Sequence, residues 1–470
     1  MSGEKGRRRR VLTVDIGTSS LKGGILDEEG LLRQWGKVGF GLPVEGGYSS
    51  WSAERWLGAF AELVASFAAA ENETPDIDAV VISGNGPSLV PVDRTGKPAA
   101  EALLWLDRRE RRREGTVSFF LPKAAWLAEE RPEVYEKTAR FLGCPEFLSF
   151  RLCGTAAAFT PSDEFTPYIW SPEEIGQYRL DVERFPPPVY TGRLLGEVSA
   201  AAAERFGLKE GLAVIAGGAD FLMALLGTGT VRPGRTCDRT GTSEGINCCS
   251  SRFISHPRIR SLPHALEGYY NAAGILSSTG MIFEWFRRLT GQEGRDYDEM
   301  LKEVGRVRRR PGLPLFFPSL HRGAVWEFAG GAFTRLEAEH GPAEMGRAVV
   351  NSIGFGIRDL VETLEKEGCA IDSLRVSGGQ GRNTVWNQMK ADMTGKPIEI
   401  PRIIDAELTG GAVAAFSFLD GESLFDTAER MVRIEKSYEA DPQRAGVYRE
   451  EYEEYQRACE RMLPALAGPK

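Results

Sequence analysis

The tripeptide G-T-S occurs at 17–19 and again at 241–243, 224 residues apart in a chain of 470. Three residues alone say little, but both copies stand in the same surroundings. V-L-T-V-D (11–15) reads as a strand, G-T-S-S (17–20) as a turn and L-K-G-G-I-L (21–26) as the returning strand. R-T-G-T-S-E-G-I-N (239–247) repeats that strand–turn–strand order. A hairpin with small hydroxyl residues at its tip, used once in each half, points to two related lobes. No short-period solenoid repeat is visible.

The rest of the chain alternates strands with helices. D-E-E-G (27–30) makes a turn into a third strand. Ser52 is expected to cap a helix whose apolar face runs Trp56, Ala59/Phe60, Leu63/Val64 and Phe67. A-V-V-I-S (79–83), L-V-P-V-D (89–93) and L-L-W-L-D (103–107) follow as strands, and L-A-V-I-A (212–216) opens a second glycine-rich region. Residues 341–366 carry a long amphipathic helical pattern, S-L-R-V-S (373–377) a strand, and E-E-Y-E-E-Y (450–455) a solvated terminal helix. This alternation predicts an α/β architecture, with lobes at 11–232 and 233–470.

Composition narrows the partners. The balance of 58 basic and 66 acidic residues gives a net charge of −8, which disfavours nucleic acid and favours a soluble small-molecule protein. No stretch reaches the ~18 uncharged apolar residues of a membrane span. Arg7–Arg10 mimics the basic start of a signal peptide, but Asp15 follows closely and no cleavage motif is evident, so a frayed tail is expected. Seven cysteines without C-x-x-C, and histidines only at 256, 264, 321 and 340, suggest reduced cytoplasmic thiols and no zinc site. The 54 glycines exceed an average usage of about 7% and need a local cause.

Four segments could carry chemistry. In D-I-G-T-S-S-L-K (15–22) a carboxylate ends a buried strand beside a turn of N–H and hydroxyl donors, able to hold phosphate or, through Asp15, Mg²⁺. An ordinary hairpin with a polar tip reads the same way. In G-G-A-D-F-L-M-A-L-L-G-T-G (217–229), Asp220 starts an apolar helix, either as an N-cap or as a base for a hydroxyl. A helix start works against strong basicity, yet phosphoryl transfer asks mainly for orientation of the acceptor. T-G-T-S (240–243) is a second phosphate-facing turn. In V-S-G-G-Q-G-R-N (376–383), glycines after a strand let a flat ring lie on the backbone, and Thr409-Gly410-Gly411-Ala412 suits close packing.

In this order the segments resemble the sugar-kinase, actin and heat-shock-protein-70 superfamily, and more closely its FGGY carbohydrate kinases, of the xylulose-kinase kind. D-I-G-T-S-S-L-K looks like the first phosphate motif, G-G-A-D like the catalytic-aspartate segment and R-T-G-T-S like the second phosphate loop. S-G-G-Q-G-R-N-T-V-W-N-Q-M-K-A-D-M-T-G-K-P-I (377–398) is similar to the C-terminal signature. L-L-W-L-D-R-R (103–109) matches a W-x-D-x-R strand end, and 123–133 a lysine-to-tryptophan helix followed by proline. The similarity covers residues 11–430.

The resemblance implies two ribonuclease-H-like lobes of the actin-like ATPase fold with a nucleotide cleft between them, and the cofactors ATP and Mg²⁺. Asp15 would serve the metal. Gly17, Thr18, Ser19, Lys22, Gly241, Thr242 and Ser243 would serve the phosphates, and Gly378, Gly379 and Asn383 the adenosine. Asp220 would be the catalytic base, with Asn85, Gly86, Trp105 and Phe221 beside it on the substrate. The implied reaction is ATP-dependent phosphorylation of a small carbohydrate, a ketopentose such as xylulose. Kinases for gluconate, fuculose or erythritol, a non-catalytic sugar sensor and an actin-like ATPase are the alternatives. The partners implied are carbohydrate and ATP, with no nucleic acid or membrane; a homodimer is allowed.

Two departures concern the sugar. N-G-P-S (85–88) replaces the usual Q-M-H-G, and L-H-R-G-A-V-W (320–326) stands where G-E-R-x-P is expected. Glu164 lies in the usual sugar-side segment but also reads as a loop charge. The arginines of 108–113, interleaved with Glu110, read as a solvated helix face. Trp126 and Trp285 read as core.

Overall fold

The computed structural model describes residues 7–41, 50–310, 312–319 and 327–466; the segment 320–326, with His321, lies outside them. The chain forms two compact units. The first holds the described residues up to Gly229, with Pro263–Gly268 and Ala406–Val432. The second holds Thr230–Leu262, Tyr269–Asp405 and the described residues from Arg433 onward. A single cut at 232 therefore leaves out the return of 406–432.

Close packing explains that return. The helix Ala406–Asp420 crosses the helix Asp220–Gly227 so tightly that a Cβ on Gly410 would lie 1.9 Å from the Met223 carbonyl oxygen. A Cβ on Gly227 would lie 1.8 Å from that of Ala406. These glycines hold two helices together rather than facing a ligand.

In the first unit a six-stranded sheet runs in the order Leu194–Glu197, Ala213–Ala219, Ala79–Gly84, Arg10–Ile16, Ser20–Asp27, Leu32–Gly39. The Arg10–Ile16 strand is antiparallel to Ser20–Asp27 and parallel to Ala79–Gly84, which is parallel in turn to Ala213–Ala219. The helix Glu54–Glu71 buries Trp56, Phe60, Leu63, Val64 and Phe67 against this sheet, on the face its periodicity predicts.

The second unit repeats the plan. Its seven strands run Arg260–Pro263, Tyr270–Leu276, Glu244–Ser250, Gly234–Thr240, Ile371–Ser377, Ile398–Pro401, Ile434–Tyr438. Gly234–Thr240 is antiparallel to Glu244–Ser250 and parallel to Ile371–Ser377. Each G-T-S thus tips the hairpin beside the first parallel crossover of its own sheet.

Several local expectations change. The N-cap of Glu54–Glu71 is Ala53, and Ser52 makes no side-chain cap. Arg7–Arg10 is not frayed: Arg7 pairs with Asp76 and Asp78, Arg8 with Glu29, Arg9 with Glu28 and Asp420, and Arg10 with Glu71. The strand expected at 103–107 ends at Leu103. Residues 108–113 form an extended loop rather than a helix, held by pairs such as Arg109–Asp107 and Arg111–Glu129. The terminal helix Pro442–Leu466 is not solvated all round, because Glu451 meets buried Arg347 at 2.8 Å and Tyr452 packs on Phe355. Trp126 and Trp285 are half-buried, the first under Arg109 and the second stacked on Phe316.

Candidate active site

Asp15 stands at the end of its strand, 8% exposed, opposite Lys22 in the antiparallel register and level with Ser83 in the parallel one. Ser83 donates its hydroxyl to Asp15 Oδ1 at 3.0 Å. Burial, then the charges of Glu407 and Asp220, push the Asp15 carboxyl up to about 8, while Ser83 and Lys22 pull it down. Glu407 and Asp220, from two distant segments of the first unit, therefore lie within electrostatic reach of Asp15. Glu407 belongs to the first turn of the returning helix, and nothing in its local spacing signalled it.

The first turn is closed by the Gly17 N–H on the Ser20 carbonyl at 2.9 Å. Thr18 accepts the indole N–H of Trp105 at 3.0 Å. The Trp105 backbone N–H donates to Ser88 Oγ at 3.2 Å, and Ser88 donates to Asn85 Oδ1 at 2.5 Å. Asn85, 4% exposed, donates its amide to the Ile16 carbonyl at 2.9 Å. Asn85 is thus a brace between the 85–88 turn and the first strand, while Trp105, 45% exposed, reaches the surface. Gly86 precedes Pro87 in the same turn. The W-x-D-x-R segment and the following helix also meet: buried Lys123 donates to the Asp107 carbonyl at 2.7 Å.

Asp220 is the first residue of its helix; the N-cap is Ala219, so the capping alternative does not hold. Its Oδ1 accepts the N–H of its neighbour Phe221 at 2.7 Å. Phe221 begins an aromatic chain, with Phe165 at 6.2 Å and Tyr168 a further 5.5 Å along. Glu164 sits exposed in the adjoining turn.

In the second unit Gly241, Thr242 and Ser243 are all exposed at the hairpin tip. The start of the helix Thr279–Leu289 presses on this turn: Met281 donates its N–H to the Thr242 carbonyl at 3.2 Å. Gly378 has φ +95°, and a Cβ there would lie 2.2 Å from the Thr240 carbonyl oxygen, so only glycine fits. Gly379 is open to solvent, with nothing within 4 Å of a Cβ. Asn383 caps the helix Thr384–Thr394 by accepting the Trp386 N–H at 2.8 Å.

The donors suit the expected groups. Asp15, crowded by two further carboxylates, is a hard oxygen ligand whose charge a divalent cation would compensate. Among the described residues no three His, Cys, Asp or Glu converge to hold a metal alone; Mg²⁺ commonly keeps water and phosphate ligands.

The sequence model of the FGGY family of carbohydrate kinases, N-terminal domain, matches residues 10–118 and 114–227, and that of the C-terminal domain residues 239–418. Autoinducer-2 kinases from Klebsiella pneumoniae and Escherichia coli K12 are 29% and 28% identical, over 72% of this chain and 68% of theirs. A xylulose kinase structure from Brucella ovis superposes with a TM-score of 0.84 at 23% identity, covering 98% of this chain and 99% of that one. Gluconate kinase from Lactobacillus acidophilus gives 0.84 at 18%, covering 97% and 99%. Plasmodium falciparum glycerol kinase with ADP gives 0.81 at 17%, covering 98% and 99%.

Proposed function

The chain belongs to the FGGY family of carbohydrate kinases, and on that premise we propose that it transfers a phosphoryl group from ATP to a hydroxyl of a small ketopentose such as xylulose. One observation carries the reading: Asp220, at the start of its helix, lies within electrostatic reach of Asp15, which precedes the Thr18 turn.

In this reading Asp220 accepts the proton of the acceptor hydroxyl and orients it. Phosphoryl transfer through a loose transition state depends chiefly on that orientation and on charge neutralisation. Asp15 would hold Mg²⁺, which when bound neutralises phosphate charge. Thr18, Ser19, Thr242 and Ser243 offer hydroxyls and turn N–H groups to phosphate oxygens, and Lys22 adds positive charge. Open Gly379 leaves room for the adenosine. Trp105 and Phe221 present ring surface to the carbohydrate, while Asn85 braces Ser88, on which the Trp105 backbone N–H rests. A reducing compartment such as the cytoplasm suits the seven free thiols.

A second reading is favoured by one finding. Sequence relatives include autoinducer-2 kinases at 28–29% identity, and N-G-P-S already departs from the xylulose-kinase pattern at the sugar side. ADP formation across ketopentoses, sugar acids, polyols and autoinducer-2 separates the two. Xylulose-dependent turnover supports the first reading, and turnover confined to autoinducer-2 replaces it. ATP hydrolysis indifferent to every acceptor would overturn both.

A further inference from the structure

The second unit contains a fully buried ion cluster that none of the expected site residues includes. Lys390 Nζ meets Asp238 Oδ2, and Glu244 Oε1 at 3.0 Å, with all three side chains 0% exposed. Asp238 and Glu244 come from the two strands of the hairpin that carries Gly241–Ser243. The antiparallel register pairs Thr240 with Glu244 and Asp238 with Ile246. Side chains alternate faces along a strand, so Asp238, Thr240 and Glu244 all point the same way, into the unit and toward Lys390.

Lys390 lies in the helix Thr384–Thr394, which follows the glycine turn at 378–383. Its ammonium sits 5.7 Å over the Trp386 ring, and Trp386 donates its indole N–H to Gln380 Oε1 in that turn at 2.8 Å. The two segments touch elsewhere as well. Thr240 Oγ1 donates to the Ser377 carbonyl at 2.7 Å, and Gly378 rests on the Thr240 carbonyl. One cation thus ties the phosphate hairpin to the glycine turn.

The arrangement is costly if its purpose is stability alone. Asp238 Oδ1 and Glu244 Oε2 have no hydrogen-bond partner among the described residues. Burial and Asp238 push the Glu244 carboxyl up to about 8 against the pull of Lys390. A buried ion pair often stabilises no better than apolar residues of similar volume, but it fixes register.

We propose that Lys390 is a positioning residue for the nucleotide: through Asp238 and Glu244 it sets the turn 241–243 at a fixed height relative to Gly378–Gly379. The proposal rests on the reading that the second unit binds ATP. Lys390 touches no substrate; it acts through the hairpin and the helix. Its loss should weaken nucleotide binding while leaving the carbohydrate KM unchanged.

The test measures ADP affinity by calorimetry without carbohydrate, KM for ATP and for the acceptor, and the unfolding midpoint, all on the full chain. Lys390→Met alone strands two buried carboxylates and is expected to destabilise. The triple variant D238N/E244Q/K390M removes the charges together and should restore the midpoint. The expected result is a triple variant that unfolds near the wild-type midpoint, binds ADP at least tenfold more weakly and keeps its acceptor KM. Wild-type ADP affinity in that folded variant overturns the proposal, as does a loss of affinity that merely follows the midpoint across the variants. A wild-type chain that binds no ADP overturns the nucleotide reading first, and this proposal with it.

Discussion

Trp105 donates its indole N–H to the Thr18 hydroxyl at 3.0 Å, joining a residue of the expected carbohydrate side to the first turn proposed to face phosphate. Their positions are 87 residues apart in sequence. The bond fixes which way the Thr18 hydroxyl points, and it holds a half-exposed indole in one orientation.

Trp105→Phe keeps the ring face and removes the donor. A net hydrogen bond contributes about 0.5–1.5 kcal/mol, so kcat/KM for the acceptor should fall roughly threefold to tenfold. Steady-state kinetics checks this. Unchanged kinetics would show that the Thr18–Trp105 bond has no part in turnover.

Asp220→Asn keeps the shape of the helix start, and the amide carbonyl still accepts the Phe221 N–H. Without a proton acceptor, carbohydrate phosphorylation should fall by about 10²–10⁴, while calorimetric ADP binding to the second unit persists. Near-wild-type turnover would falsify the assigned role.

Glu146 gives a pH prediction independent of catalysis. Its Oε1 accepts the Phe159 N–H at 3.1 Å, its Oε2 is buried without a partner among the described residues, and burial pushes the carboxyl from 4.5 up to about 7. A carboxyl raised in the folded state binds more protons there than in the unfolded chain. Its contribution to stability is complete below pH 4.5 and is lost as the pH climbs to about 7. Glu146→Gln should therefore flatten the decline of the unfolding midpoint between pH 5 and 8. An identical slope in both proteins would refute the assignment.

Two glycines should respond oppositely to alanine. Gly410→Ala drives a methyl group into the Met223 carbonyl and should cost about 1–3 kcal/mol or more by overpacking. Gly58 is exposed on the helix Glu54–Glu71, with nothing within 4 Å of a Cβ. Gly58→Ala should stabilise by up to about 1 kcal/mol through helix propensity. Denaturant midpoints of the two variants give the comparison, and a tolerated Gly410→Ala would sink the packing account.

Local patterns in the sequence determined much of this protein. The two strand–G-T-S–strand hairpins, the apolar face of the Glu54–Glu71 helix and the long helix Pro342–Lys366 all follow from alternation and periodicity. Those signals depend on residues two to four positions apart, so they survive without knowledge of the fold. The order of the motifs was legible for the same reason, and it carried the family.

Only the tertiary structure decided the rest. Glu407 reaches the Asp15 and Asp220 neighbourhood because Gly410 and Gly227 let two helices meet, a consequence of packing across nearly 190 positions that no local period encodes. Asn85 became a brace and Asn383 a cap once their hydrogen-bond partners were in place. The Arg7–Arg10 run, which looked like a loose tail, is bound by carboxylates that arrive from residues 28, 29, 71, 76, 78 and 420. Lys390 was an unremarked letter in a signature until burial set it between Asp238 and Glu244. Charge is a local property of a residue, but the partner that makes it useful is chosen by the fold.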